Sequence, residues 1–220
     1  MKPLVIFGTG EIAEVADFYF RETTERNVAA FTVDPAYVAE PTFLGRPVVP
    51  FDEVARRFPP DSHDMFVALS YAGMNRVREA KVRAALGAGY ALATYLSPRA
   101  SVFTSRIGRN CFVLEDNTVQ PFVSIGDNVT LWSGNHIGHH SRIEDNVFIS
   151  SHVVISGGVV VGRNSFLGVN ATVTDHVAIA PFTLLGSGAL LMEDSEPEGV
   201  YVAPGKAERR KVKSTRLPKF

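Results

Sequence analysis

Residues 136–173 read HIGHHSRIEDNVFISSHVVISGGVVVGRNSFLGVNATV, and every sixth residue from Ile137 onward is aliphatic: Ile137, Ile143, Ile149, Ile155, Val161, Leu167 and Val173. The column extends in both directions, back through Leu131, Ile125, Val119 and Val113 to Ile107 and forward through Ile179 and Leu185 to Leu191, without an exception. Four residues after each aliphatic side chain sits a mostly small or β-branched one, such as Cys111, Val129, Ser141, Val153 and Ala171. Glycine often follows the aliphatic residue directly, as at Gly108, Gly126, Gly138, Gly162, Gly168 and Gly186. A period of six is neither the 3.6 of a helix nor the 2 of a flat strand, so each repeat is one side of a larger turn. Three repeats close a triangular coil with the aliphatic residue inward, the small residue near a corner, and Gly or Asn at turns that need positive φ. The column predicts about five coils, a prism roughly 24 Å tall at the usual strand spacing. The fold class expected is therefore an all-β left-handed parallel β-helix following a separate α/β segment. A sandwich of short strands would not keep its spacing through every turn.

The α/β segment comes first. Pro3 to Phe7 is an apolar strand running into Gly8-Thr9-Gly10-Glu11-Ile12-Ala13, a G-x-G-x-x-A turn that opens a helix from Glu11 to about Thr23. That arrangement turns backbone N–H groups and a helix N-terminus toward a site where phosphates can sit. A second strand, Val28 to Val33, ends in Asp34, at the distance where an acidic residue meets a ribose or a base. Met65 to Leu69 reads as a further strand, and Asn75, Arg76 and Arg78 open the next helix, either as contacts to phosphate or sugar or as an ordinary solvated first turn. The segment ends near Leu96, which leaves room for one mononucleotide-binding half of a Rossmann unit. Division into 1–96, 97–195 and a C-terminal extension 196–220 follows.

Composition narrows the function. The 220 residues carry 22 Lys plus Arg against 23 Asp plus Glu, so charge suggests neither a nucleic-acid nor a membrane-surface partner. No apolar run approaches bilayer length and Met1-Lys2-Pro3 leads straight into a strand, which predicts a cytoplasmic protein. The single cysteine, Cys111, excludes an intrachain disulfide and sits where the repeat wants a packed small residue. The last fifteen residues, KAERRKVKSTRLPKF, are strongly basic, either a solvated tail or an attraction for a polyphosphate ligand.

Four of the six histidines, His136, His139, His140 and His152, fall within seventeen residues. Acyl transfer from a thioester needs a base near neutral pKa, which imidazole supplies, and a donor for the developing oxyanion. One coil is eighteen residues, so His139 is expected to stack beneath Gly157, whose N–H is the candidate oxyanion donor. Zinc held between prisms is the rival reading of the cluster, but the histidine spacing does not show the directions a three-histidine site requires.

The repeats resemble the bacterial hexapeptide acyltransferases. With FGTGEIAEVA, Val33-Asp34, Asn75-Arg76-Val77-Arg78 and the closing GVYVAPGKA, the whole chain resembles the PglD and NeuD family of sugar acyltransferases. That resemblance implies a homotrimer with active sites between subunits, acetyl-CoA as acyl donor, no metal, and a nucleotide-linked amino sugar as substrate in surface polysaccharide or glycan biosynthesis. It implies His139 as base, His140 where the family carries a carboxylate, and Gly157, Gly168, Val169, Gly186, Ser187 and Gly188 against CoA. Gly8, Thr9, Gly10, Asp34, Asn75, Arg76 and Arg78 would hold the nucleotide sugar. The absent carboxylate after His139 leaves open whether Glu144, Asp145 or a backbone carbonyl orients the base, or whether the proton passes through His140. O-acetylation of a sugar hydroxyl, or a non-catalytic nucleotide-sugar-binding trimeric scaffold, remain alternatives.

Overall fold

A computed structural model describes residues 1–205, so the basic tail lies outside the described residues. The chain opens with β1 (Leu4–Phe7), α1 (Glu11–Thr23), β2 (Val28–Val33), β3 (Thr42–Phe43), β4 (Arg46–Pro50), α2 (Phe51–Arg57), β5 (Asp64–Val67) and α3 (Arg76–Gly87). These form a five-stranded sheet in the order β3-β4-β2-β1-β5, parallel except for the β3–β4 hairpin. β1 is fully buried, as a parallel strand covered on both faces must be. The helix and strand read from residues 11–23 and 28–33 occur with those bounds.

From Tyr95 onward the chain winds as a left-handed β-helix whose two-residue strands stack into three parallel sheets. The seven-stranded sheet runs from Tyr95–Leu96 to Val200–Tyr201 and so takes in a strand on each side of the segment 97–195. The six-stranded sheet runs from Ser101–Val102 to Leu190–Leu191, and the four-stranded sheet from Ser124–Ile125 to Ala178–Ile179. Partners in register are eighteen residues apart, as in Ile137↔Ile155 and Ile143↔Val161. The aliphatic column and the small column together form one core, almost every member fully buried.

The turns depart from the expectation in one respect. The glycines that follow the aliphatic residues do not carry the positive φ. That conformation belongs to the residue two further on, where Asn110, Asn128, His140, Asn146, His152, Asn164, His176 and Phe182 all have φ between 55° and 63°. The early glycines answer a different demand: a Cβ at Gly108, Gly126, Gly138, Gly162 or Gly168 would fall 2.3 to 2.6 Å from the next coil. They are small because successive coils press together there.

The two halves meet along a polar seam that the sequence reading did not foresee. Asn110, Asn128, Asn146 and Asn164, one per coil, hydrogen-bond side chain to side chain in a continuous ladder. Asn110 exchanges two hydrogen bonds with the backbone of Val67 in β5, and Asn164 donates to the Met74 carbonyl and to Glu79 of α3. Tyr19 of α1 donates to Glu115 at 2.6 Å. Burial alone would raise the Glu115 carboxyl, but the hydrogen bonds from Tyr19 and Ser133 hold it below the usual range. Among the described residues no helix is long and apolar enough to cross a membrane.

Candidate active site

The glycine turn sits at the carboxyl end of β1, where a parallel sheet leaves a crevice for ligands. Gly8 has φ +129°, and a Cβ there would fall 2.7 Å from the Ala68 carbonyl, so only glycine fits. Gly10 caps α1 and has nothing within 4 Å of where a Cβ would be, which leaves room for a ligand to approach the helix N-terminus. A cavity of about 550 Å³ opens there, lined by Gly10, Glu11, Ile12, Ala68, Leu69, Ser70, Tyr71 and Trp132. It adjoins a second of about 230 Å³ that shares Ile12, Tyr71 and Trp132 and continues along Phe148, Ser150, Ser151 and Val169. Thr9 faces a separate cavity of about 200 Å³ with Tyr37, Glu40 and Phe43.

Other residues read as sugar contacts serve the seam. Asn75 is fully buried and donates to the Asn164 and Ser165 carbonyls. Arg78 is 2% exposed, with its guanidinium on Thr130 Oγ1, Asn75 Oδ1 and the carbonyls of Asn146 and Val147. Both assignments to the substrate are therefore corrected: neither side chain reaches a ligand. Arg76 lies over the Phe182 ring at 4.5 Å on the same seam. Asp34 is paired with Lys81 at 2.7 Å and is not among the residues lining the two cavities at the turn.

The histidines do not gather in one place. His136 is on the six-stranded sheet. His152 belongs to the corner between the seven- and six-stranded sheets, and His139 and His140 to the next corner, between the six- and four-stranded sheets. At that second corner His139 leans on Gly157: a Cβ there would fall 2.6 Å from its Cε1 and 2.9 Å from its Nε2. The stacking read from the repeat holds, but the oxyanion assignment does not. The Gly157 N–H donates to Asp175 Oδ1 at 2.9 Å and is not a free donor. His139 Nδ1 lies 3.1 Å from His140 Nδ1, and among the described residues the His139 ring makes no hydrogen bond to Glu144, Asp145 or a carbonyl. Gly157→Ala should displace the ring and lower any His139-dependent turnover about tenfold or more at unchanged melting temperature, as steady-state rates and a thermal melt would show.

The proposed CoA residues divide as well. Gly168, Val169, Gly186, Ser187 and Gly188 share the corner of the Trp132 groove, whereas Gly157 belongs to the His139 corner. Cys111 is buried and its thiol is pushed up to about 12, chiefly by burial, which leaves no thiolate to act as nucleophile. Among the described residues no group of three or more His, Cys, Asp and Glu is placed to hold a metal ion.

The sequence reading missed Ile12, Tyr71, Trp132, Ser150 and Ser151 in the groove, and His176 at the His139 corner. One signal was present: Trp132 stands where the repeat favours glycine or another small residue.

A prism of hexapeptide coils joined to a glycine-turn α/β half is an architecture the chain shares with hexapeptide-repeat acyltransferases. More particularly, the chain is similar in this arrangement to sugar acetyltransferases of the PglD and NeuD type. Residues 104–139 and 140–175 match the model of the bacterial transferase hexapeptide, six repeats. No curated protein matches the chain at a significant level. Among solved structures it is similar to PerB from Caulobacter crescentus in complex with CoA and GDP-perosamine, at 29% identity over 95% of this chain and 98% of that one, TM-score 0.82. It is similar also to a histidine-to-asparagine mutant of perosamine N-acetyltransferase from the same organism, with the same ligands, at 28% identity over 96% and 98%, TM-score 0.82. The acetyltransferase domain of PglB from Neisseria gonorrhoeae shares the fold at 22% identity over 94% and 99%, TM-score 0.82.

Proposed function

We propose that the protein is an acetyl-CoA-dependent N-acetyltransferase acting on an amino sugar linked to a nucleoside diphosphate. The observation that carries this reading is the likeness, over 95% of the chain, to an enzyme in complex with CoA and GDP-perosamine. The groove from Gly10 past Trp132 to Val169 takes the nucleotide sugar, its diphosphate at the N-terminus of α1. The sugar's amine attacks the thioester carbonyl directly, the carbon–sulfur bond breaks, and His139 Nε2 accepts the amine proton. Groove and base occupy different corners of one prism, so a complete site takes its glycine-turn groove from one copy and its histidine from another. That geometry supports a homotrimer, three prisms meeting at their corners. CoA then runs between copies, reached by Gly157 of one and by Gly168, Val169, Gly186, Ser187 and Gly188 of its neighbour. The product belongs to surface polysaccharide or glycan assembly in the cytoplasm.

Free-thiol release from acetyl-CoA, measured with GDP-, UDP- and dTDP-linked amino sugars and their hydroxyl counterparts, tests the reading. Release with an amino sugar alone is expected. Release only with hydroxyl sugars would make the enzyme an O-acetyltransferase, and none with any acceptor would leave a binding scaffold. The accepted nucleotide should also raise the melting temperature, because it binds only the folded chain.

A further inference from the structure

The base just assigned has an imidazole for a neighbour instead of a carboxylate. We propose, resting on that reading, that His139 and His140 form a two-imidazole unit with one proton between their Nδ1 atoms, and that this unit sets the acid limit of the reaction.

Both rings are held where they meet. The Nδ1 atoms are 3.1 Å apart and the rings stand edge to face at 86°. The His140 ring packs on Phe122 of the coil below, centroids 4.7 Å apart, and its backbone is fixed at φ 61°. The His139 amide donates to Gln120 Oε1 at 2.8 Å, and its ring lies over Gly157. At that separation one Nδ1 carries the hydrogen and the other is bare. When His139 is the donor its Nε2 is bare and turned to the reaction, and His140 is a positioning residue that fixes this tautomer.

The step balances within the unit. As the nitrogen–acyl bond forms, the amine proton moves to His139 Nε2, and the Nδ1 proton shifts toward His140, spreading the positive charge over two rings. As the carbon–sulfur bond breaks, the Nε2 proton passes to the departing sulfur and the Nδ1 proton returns. The titratable groups facing the unit come from the coils above: Asp175, on the Gly157 N–H, and His176, whose Nδ1 lies 2.4 Å from where a Cβ on Gly158 would be. The coil below contributes Gln120 and Phe122, which do not titrate. A carboxylate at position 140 would hold the imidazolium and raise the pKa of the base, and a neutral imidazole does so less.

The test uses the full-length enzyme with the amino sugar it accepts. H140D should move the acid limb of kcat/KM up by about one pH unit. H140N keeps an acceptor oxygen and tolerates the turn's positive φ, so kcat should stay within about threefold. H140F keeps the stack on Phe122 but has no Nδ1, so kcat should fall about tenfold with the melting temperature unchanged. H176N should leave the acid limb in place. An unmoved acid limb in H140D, wild-type kcat in H140F, equal impairment of H140N and H140F, or a shift in H176N as large as in H140D each overturns the proposal. Long-range ¹H–¹⁵N spectra of the ligand-free protein should show hydrogen on His139 Nδ1 and its loss in H140F, and a bare His139 Nδ1 in the wild type overturns the unit. This readout stands even if the enzyme transfers no acetyl group, an outcome that removes the proposed function alone.

Discussion

His139→Ala is expected to lower acetyl transfer by about a hundredfold or more while acetyl-CoA binds nearly as before. The side chain is exposed at a corner of the prism, beside Gly157 and the His140 ring, so little packing is lost with it. What disappears is the atom proposed to accept the amine proton. Thiol release measures turnover and calorimetry measures CoA binding. Near-wild-type turnover would falsify the assignment of the base, whereas a parallel collapse of CoA binding would mean that the ring holds the cofactor instead.

Arg78→Ala is expected to cost about 3 kcal/mol or more of stability, among the larger values for a single substitution. The guanidinium is buried, with no carboxylate beside it among the described residues; burial brings its pKa down to about 10, and it remains charged at neutral pH. Its charge is carried by the Thr130 hydroxyl, the Asn75 amide oxygen, two carbonyls of the prism and the face of Phe148. Removing it strands those acceptors away from water. Trp132, the only tryptophan, packs beside Phe148 at the seam, so its fluorescence reports on the junction while far-UV dichroism reports on the strands. In urea the fluorescence midpoint should fall further than the dichroism midpoint. A loss below about 1 kcal/mol would mean that the seam does not depend on this residue.

The prism was legible because its rule is local and repeats: an inward aliphatic side chain is required at each side of every coil, and a period of six shows that demand directly. The asparagine ladder was equally periodic, every eighteen residues from Asn110 to Asn164, but it reads as turn chemistry until the other half of the molecule is known to lie against it. Asn75 and Arg78 were misread for the complementary reason. Polar residues at a helix start look alike in sequence whether they meet a phosphate or a row of carbonyls, and only the docking of α3 distinguishes the two. The histidine cluster misled in a third way, since residues thirteen apart in a coil of eighteen stand on different corners.

The seam has a consequence for the choice of acceptor. Ladder, buried cation and β5 backbone tie the halves together, so in the proposed trimer the span from the α1 N-terminus to the histidine edge of an adjoining copy would act as a fixed ruler. An acceptor anchored by its diphosphate presents its amine at one set reach. A free amino sugar, lacking that handle, would have to find the same point by diffusion alone.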